Sequence, residues 1–144
     1  MTTKNIKNQG FTLVELLIVI VIIAILTVVS LVAYNGLQNQ AKTSAAKSAA
    51  DTVAKKAELY NTAESNYPTK LSDLTDPAHS GEPYYLDIST VKTPTGSGTL
   101  VAGTPPKEAN TIEYSLCTGN KGAHVKYYNF SNNQVEERKI GTGC

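Results

Sequence analysis

The chain has 144 residues, enough for one domain with a modest core and too few for two independent ones. Its formal net charge is +1 and charged residues make up 17% of it, so composition signals neither the basic surface that nucleic acid requires nor a strongly acidic one. Two cysteines, Cys117 and Cys144, lie in the last third.

Residues 1–10, MTTKNIKNQG, are polar and carry Lys4 and Lys7 without an acidic residue. Phe11 to Ala33 then reads FTLVELLIVIVIIAILTVVSLVA, 23 residues whose single charge is Glu15. As a helix this run is about 35 Å long, sufficient to span a bilayer. The lysines precede it, which places the N-terminus on the cytoplasmic side and the bulk of the chain outside. A secretory signal peptide would have a shorter apolar stretch ending in a small-residue cleavage site. A plain signal anchor and a buried core helix are the other ordinary readings. None of the three explains Glu15, because a carboxylate inside a membrane helix is costly and needs a partner.

Gly10-Phe11-Thr12-Leu13-Val14-Glu15, followed by the uninterrupted apolar run, resembles the processing site of type IV prepilins. The resemblance implies that a membrane peptidase cuts after Gly10 and that Phe11 becomes the N-methylated first residue. It makes Glu15 the assembly residue, its carboxylate facing the new ammonium of Phe11 in the same or a neighbouring subunit. A buried charge pair costs far less than one charge left alone, so the pairing can set subunit register. On this reading 1–10 is a leader, 11–33 the membrane and filament-core helix, and 34–144 the pilin globular domain. Many pilins carry a proline just before the Ala-Tyr pair; here the position is Val32, before Ala33-Tyr34. With no proline to kink it, the helix is expected to be straighter there, with Gly36 its soft point.

Residues 34–64 are rich in Ala, Lys, Gln and Glu, and the helix is expected to continue to about residue 65. Leu37, Ala41, Ala45, Ala49, Val53, Ala57 and Tyr60 form an apolar stripe for packing on a sheet. Asn66-Tyr67-Pro68 ends the helix, since the residue before a proline is pushed out of helical geometry. Tyr67 to Leu74 resembles the loop that follows the helix in pilins, with Leu71 and Leu74 as anchors. A short strand is expected at Tyr84–Ile88, and Thr93 to Pro106 reads as a loop.

Period-two alternation predicts a strand at Thr111–Cys117, β-branched and aromatic residues predict a second at Ala123–Phe130, and turns at Gly119–Gly122 and Ser131–Asn133 lead to a third at Gln134–Ile140, together an antiparallel meander. The fold class is therefore α+β, a long N-terminal helix packed on a C-terminal antiparallel sheet, as in type IV pilins. The cysteine pair reads as one disulfide if the chain is exported and as two free thiols if it is not. The disulfide reading matches the C-terminal disulfide loop of the resembled family.

No catalytic constellation, cofactor motif or metal loop is apparent. His79 and His124 read as ordinary surface histidines. Asp73, Asp76, Glu82 and Asp87 do not have the spacing of a calcium loop. Asn129-Phe130-Ser131 is a glycosylation tripeptide of no weight by itself. The leading expectation is a structural one: a subunit that polymerises with copies of itself into a pilus used for adhesion, motility or DNA uptake. The resemblance brings a prepilin peptidase, an assembly ATPase and an inner-membrane platform protein as partners. A pseudopilin of a type II secretion or competence machine shares the same processing site. A minor pilin that binds DNA would need a basic stripe, for which Lys121, Lys126, Arg138 and Lys139 are available but Glu136 and Glu137 oppose. A membrane-anchored enzyme has no candidate residues.

Overall fold

A computed structural model describes residues 10–96 and 98–144. The residues of the expected leader before Gly10, Lys4 and Lys7 among them, lie outside the described residues. Helix α1 spans Leu13–Glu64, 52 residues, continuous through Val32 and Gly36. A short helix α2 (Ser72–Thr75) and a 3₁₀ turn (Pro77–His79) follow. Strands β1 (Ile112–Leu116), β2 (Gly122–Asn129) and β3 (Gln134–Gly141) form a sheet in the order β1-β2-β3. By internal contacts the chain divides into two units, one up to Leu37 and one from Gln38 to Cys144.

The start of α1 is fixed by its own first residues. The Thr12 carbonyl accepts the first helical bond from Leu16 N. The Thr12 hydroxyl oxygen accepts from Glu15 N at 3.2 Å, and Glu15 Oε2 accepts from Thr12 N at 2.7 Å. This reciprocal pair is a capping box, in which a threonine and the glutamate three residues on satisfy each other's orphan donors. At the other end, Ser65 takes φ 62° and its N–H returns to Asn61 O, closing the last turn in the left-handed cap conformation.

Within the unit from Gln38 onward, α1 packs on the meander through Ala46, Ala49, Ala50, Val53, Ala54 and Ala57. Facing them are Ile112, Ala123, Val125, Tyr127 and Ile140, all buried. The expected stripe is correct from Ala49 to Ala57, whereas Leu37, Ala41 and Ala45 are exposed and Ala46, Ala50 and Ala54 take the seam. The stripe follows two helical rows rather than one, because i+3 and i+4 neighbours together make a face.

The register pairs Ile112 with Tyr127, Leu116 with Ala123, Ala123 with Ile140 and Asn129 with Gln134. All three strands thus stand within a residue of their expected bounds. The strand expected at Tyr84–Ile88 does not form. Tyr84 and Leu86 are buried, as alternation requires, but the backbone there makes one bond to the rest of the domain, Leu86 N to Leu74 O at 2.8 Å. The edge beside β1 is taken by Lys92, whose carbonyl accepts from Ile112 N at 2.8 Å. Leu71 and Leu74 are both buried and anchor the segment after α1.

Part of the second face of the sheet, around Glu113 of β1, is covered as well. Glu113, placed on the polar side of β1 by its alternation, is 7% exposed. Its carboxylate bonds Lys126 Nζ at 2.8 Å and Leu100 N at 2.7 Å. Gly103 N donates to Asn133 O at 2.9 Å. The loop between Thr93 and Pro106 is therefore pinned to β1 and to the β2–β3 turn.

Candidate functional site

The candidate site is the N-terminal segment from Gly10 to Val32. Gly10 and Phe11 precede α1, exposed and outside any regular element. A side chain added at Gly10 would meet no atom within 4 Å. Thr12 and Glu15 close the capping box directly after them. The glutamate Oε2 accepts from both the Thr12 N–H and the Thr12 hydroxyl, at 2.7 and 2.9 Å. Sequence reasoning had singled out Glu15 for its charge and passed over its local role. The signal was there, since Thr-x-x-Glu before an apolar run is a helix-start pattern.

Beyond the box, every large apolar side chain from Phe11 to Val32 is at least 49% exposed. A helix apolar on all sides has no face for water, so it requires a membrane or a bundle of other helices. By length and composition α1 can cross a membrane.

Residues 5–31 match the prokaryotic N-terminal methylation motif, the class III signal peptide of type IV pilins. Together with a long helix on a three-stranded antiparallel sheet, the motif supports a type IV pilin-like or pseudopilin protein. It points to a structural protein and fits a membrane-anchored precursor that is later assembled. No curated protein and no solved structure gives a significant match to the chain.

The other sequence candidates fall into structural roles. Cys117 and Cys144 stand at disulfide distance, with Cα atoms 5.1 Å apart. The approach depends on Gly141, whose φ is +71° and where an added Cβ would run into Lys121 O and the Tyr67 ring. Asp73 Oδ2 accepts from Thr69 N and Lys70 N, Asp76 Oδ1 from Ala78 N, and Asp87 Oδ1 from Ser89 N. Those carboxylates cap local turns, and the bonds from Ser89 hold Asp87 below the usual aspartate range. His79 Nδ1 meets Tyr84 Oη at 3.2 Å.

Three of the four cations considered for a nucleic-acid stripe are held in ion pairs. Lys126 is bound to Glu113, Arg138 to Asp51 on α1, and Lys139 to Glu137. A cleft of about 370 Å³ lies in the loop region, with Lys92, Pro94, Leu100, Pro105 and Lys107 in its wall.

Proposed function

We propose that this chain is the structural subunit of a type IV pilus. The observation that carries the reading is a methylation motif leading directly into a helix whose apolar surface is exposed on all sides. In the precursor the segment 11–33 spans the inner membrane, with Lys4 and Lys7 on the cytoplasmic side and the domain from residue 34 outside. A prepilin peptidase cuts after Gly10, and Phe11 is methylated at its new amino group. An assembly ATPase and a platform protein then move the subunit out of the bilayer. In the filament the apolar helices bury one another, and Glu15 pairs with the ammonium of a neighbouring Phe11. A carboxylate and an ammonium that leave the membrane together avoid the cost of burying either alone.

The test is the intact mass and N-terminal fragmentation of the protein from its native cell surface. Chains beginning at methylated Phe11, recovered from sheared surface filaments, support the reading. Chains that retain Met1–Gly10 in the filament fraction overturn it. Processed chains that remain in the membrane fraction, with no filament on the cells, favour the pseudopilin alternative.

A further inference from the structure

The sheet register brings a histidine to the cysteine pair. Cys117 follows β1, and His124 sits opposite Ser115 on β2. The last strand returns Cys144 to the same place, held by Thr142 N donating to Lys121 O at 2.7 Å. The ligand atoms of Cys117, His124 and Cys144 all lie within 4.8 Å of one another. His124 has a carboxylate behind it: Nδ1 is 3.0 Å from Glu137 Oε2. The assembly proposed above, through Phe11 and Glu15, does not involve this cluster.

We propose that the dithiol form of the chain binds a borderline-soft divalent cation of the Zn²⁺ type through Cys117, His124 and Cys144, with Glu137 orienting the histidine. Zinc takes thiolate at about 2.3 Å and imidazole at about 2.0–2.1 Å, so tetrahedral donors stand roughly 3.5–3.8 Å apart. In the structure the two sulfurs are joined as a disulfide, so after reduction they must move apart to reach that spacing, with the histidine donor already within 4.8 Å of both and the two Cα atoms 5.1 Å apart. A carboxylate behind a ligating histidine fixes the ring and raises the basicity of its ligating nitrogen. Cys117 is buried and Cys144 exposed, so the fourth position faces solvent.

Binding involves no redox step. The two thiols each release a proton to solvent as the cation joins their sulfurs, and His124 ligates in its neutral form. Disulfide and metal are alternatives for the same two sulfurs. The site therefore belongs to the chain before its thiols are oxidised. His124, which a simple disulfide leaves idle, then has a ligand's role.

The experiment uses full-length chain in detergent, reduced with a phosphine and desalted anaerobically, with Co²⁺ as the probe. The expected result is a thiolate-to-cobalt charge-transfer band saturating at one equivalent, displaced by Zn²⁺ and absent from the oxidised chain. His124→Ala should weaken Co²⁺ binding at least tenfold, and Glu137→Gln by about tenfold, the range typical of ligand-orienting groups. Far-UV circular dichroism of each reduced variant establishes that the sheet is retained. The proposal is overturned if the reduced chain gives no charge-transfer band. It is also overturned if both variants bind Co²⁺ as tightly as the parent, which leaves two thiolates without a built site. A reduced chain that unfolds and is not restored by Zn²⁺ overturns it too. None of these readouts depends on whether the chain forms a filament.

Discussion

At the residue scale, Glu15 does two jobs that one substitution would confuse. Its side chain completes the capping box with Thr12, and its charge is the proposed partner of the Phe11 ammonium. Gln at the same place keeps the capping acceptor but carries no charge. Glu15→Gln should therefore leave the helix start intact and abolish filaments, with processed chain accumulating in the membrane. Thr12→Ala should do the reverse: it costs about 1 kcal/mol at the first turn and leaves the charge in place. Filament yield by electron microscopy, beside membrane-fraction immunoblots, separates the two. Normal piliation by Glu15→Gln with none from Glu15→Ala would assign Glu15 to the cap alone.

Tyr127 is the second residue with a readable consequence. Burial, followed by its bond to Glu136 Oε2 at 2.6 Å, pushes the phenol from 10.0 up to about 12. The unfolded chain ionises this group near pH 10, whereas the folded chain keeps it neutral to higher pH. The neutral form is the one that folding favours. Its contribution is thus complete below pH 10 and disappears as pH rises from 10 towards 12. Denaturant midpoints measured across that window should fall for the parent and fall less for Tyr127→Phe. Equal slopes would show that the phenol does not drive alkaline unfolding.

At the element scale, the seam between α1 and the sheet is set by small residues. Ala46 is fully buried against the sheet, while its neighbour Ala45 is exposed. Ala46→Leu should destabilise the domain by about 1–3 kcal/mol through overpacking. Ala45→Leu should stay within about 0.5 kcal/mol. Urea melts of the two variants check this, and similar losses from both would mean that the seam is misassigned.

The three strands were legible because the alternation of Thr111–Cys117, the β-branched and aromatic residues of Ala123–Phe130 and turn residues such as Gly119-Asn120 and Asn132-Asn133 are local signals. Tyr84–Ile88 had the same local look without a partner strand, and pairing is a tertiary fact that no period reveals. Glu113 was hidden for a similar reason. Alternation placed it outward, and only the loop folding back over that face made it buried. The capping box was fully visible in Thr12–Glu15 and was overlooked because the charge alone drew the reading. The His124 cluster was not legible at all, since its members come together only through the β1–β2 register and the return of the last strand.

The loop pin makes its own prediction. Glu113→Ala removes the acceptor for both Lys126 Nζ and Leu100 N. Lys126 is about a third exposed and can turn to water, so the loss should be about 1–3 kcal/mol and not the full cost of an orphaned charge. The Leu100 amide should lose protection against hydrogen exchange, and proteases should cut the 93–106 loop first. A variant with unchanged loop exchange would show that the loop is held by other contacts.

At the scale of the whole molecule, all buried residues of α1 lie from Ala46 onward, and all belong to the unit starting at Gln38. Residues 10–37 thus add exposed apolar surface and no core. We predict that a fragment covering Gln38–Cys144 is soluble without detergent and monomeric, and keeps the helix–sheet packing. The full chain should require detergent. In the fragment the cysteine pair closes a loop with a sequence separation of 27. Its contribution in the chain-entropy model is about 3.5 kcal/mol, so reduction should lower the urea midpoint markedly without changing the folded spectrum. Cys117→Ser/Cys144→Ser should melt like the reduced fragment. If the fragment aggregates or lacks the native sheet spectrum, the division at Leu37 does not mark a folding unit, and the apolar half of α1 contributes to the domain's stability. If reduction leaves the midpoint unchanged, the pair is not closed in the folded domain, and its value to the molecule lies in the thiol form.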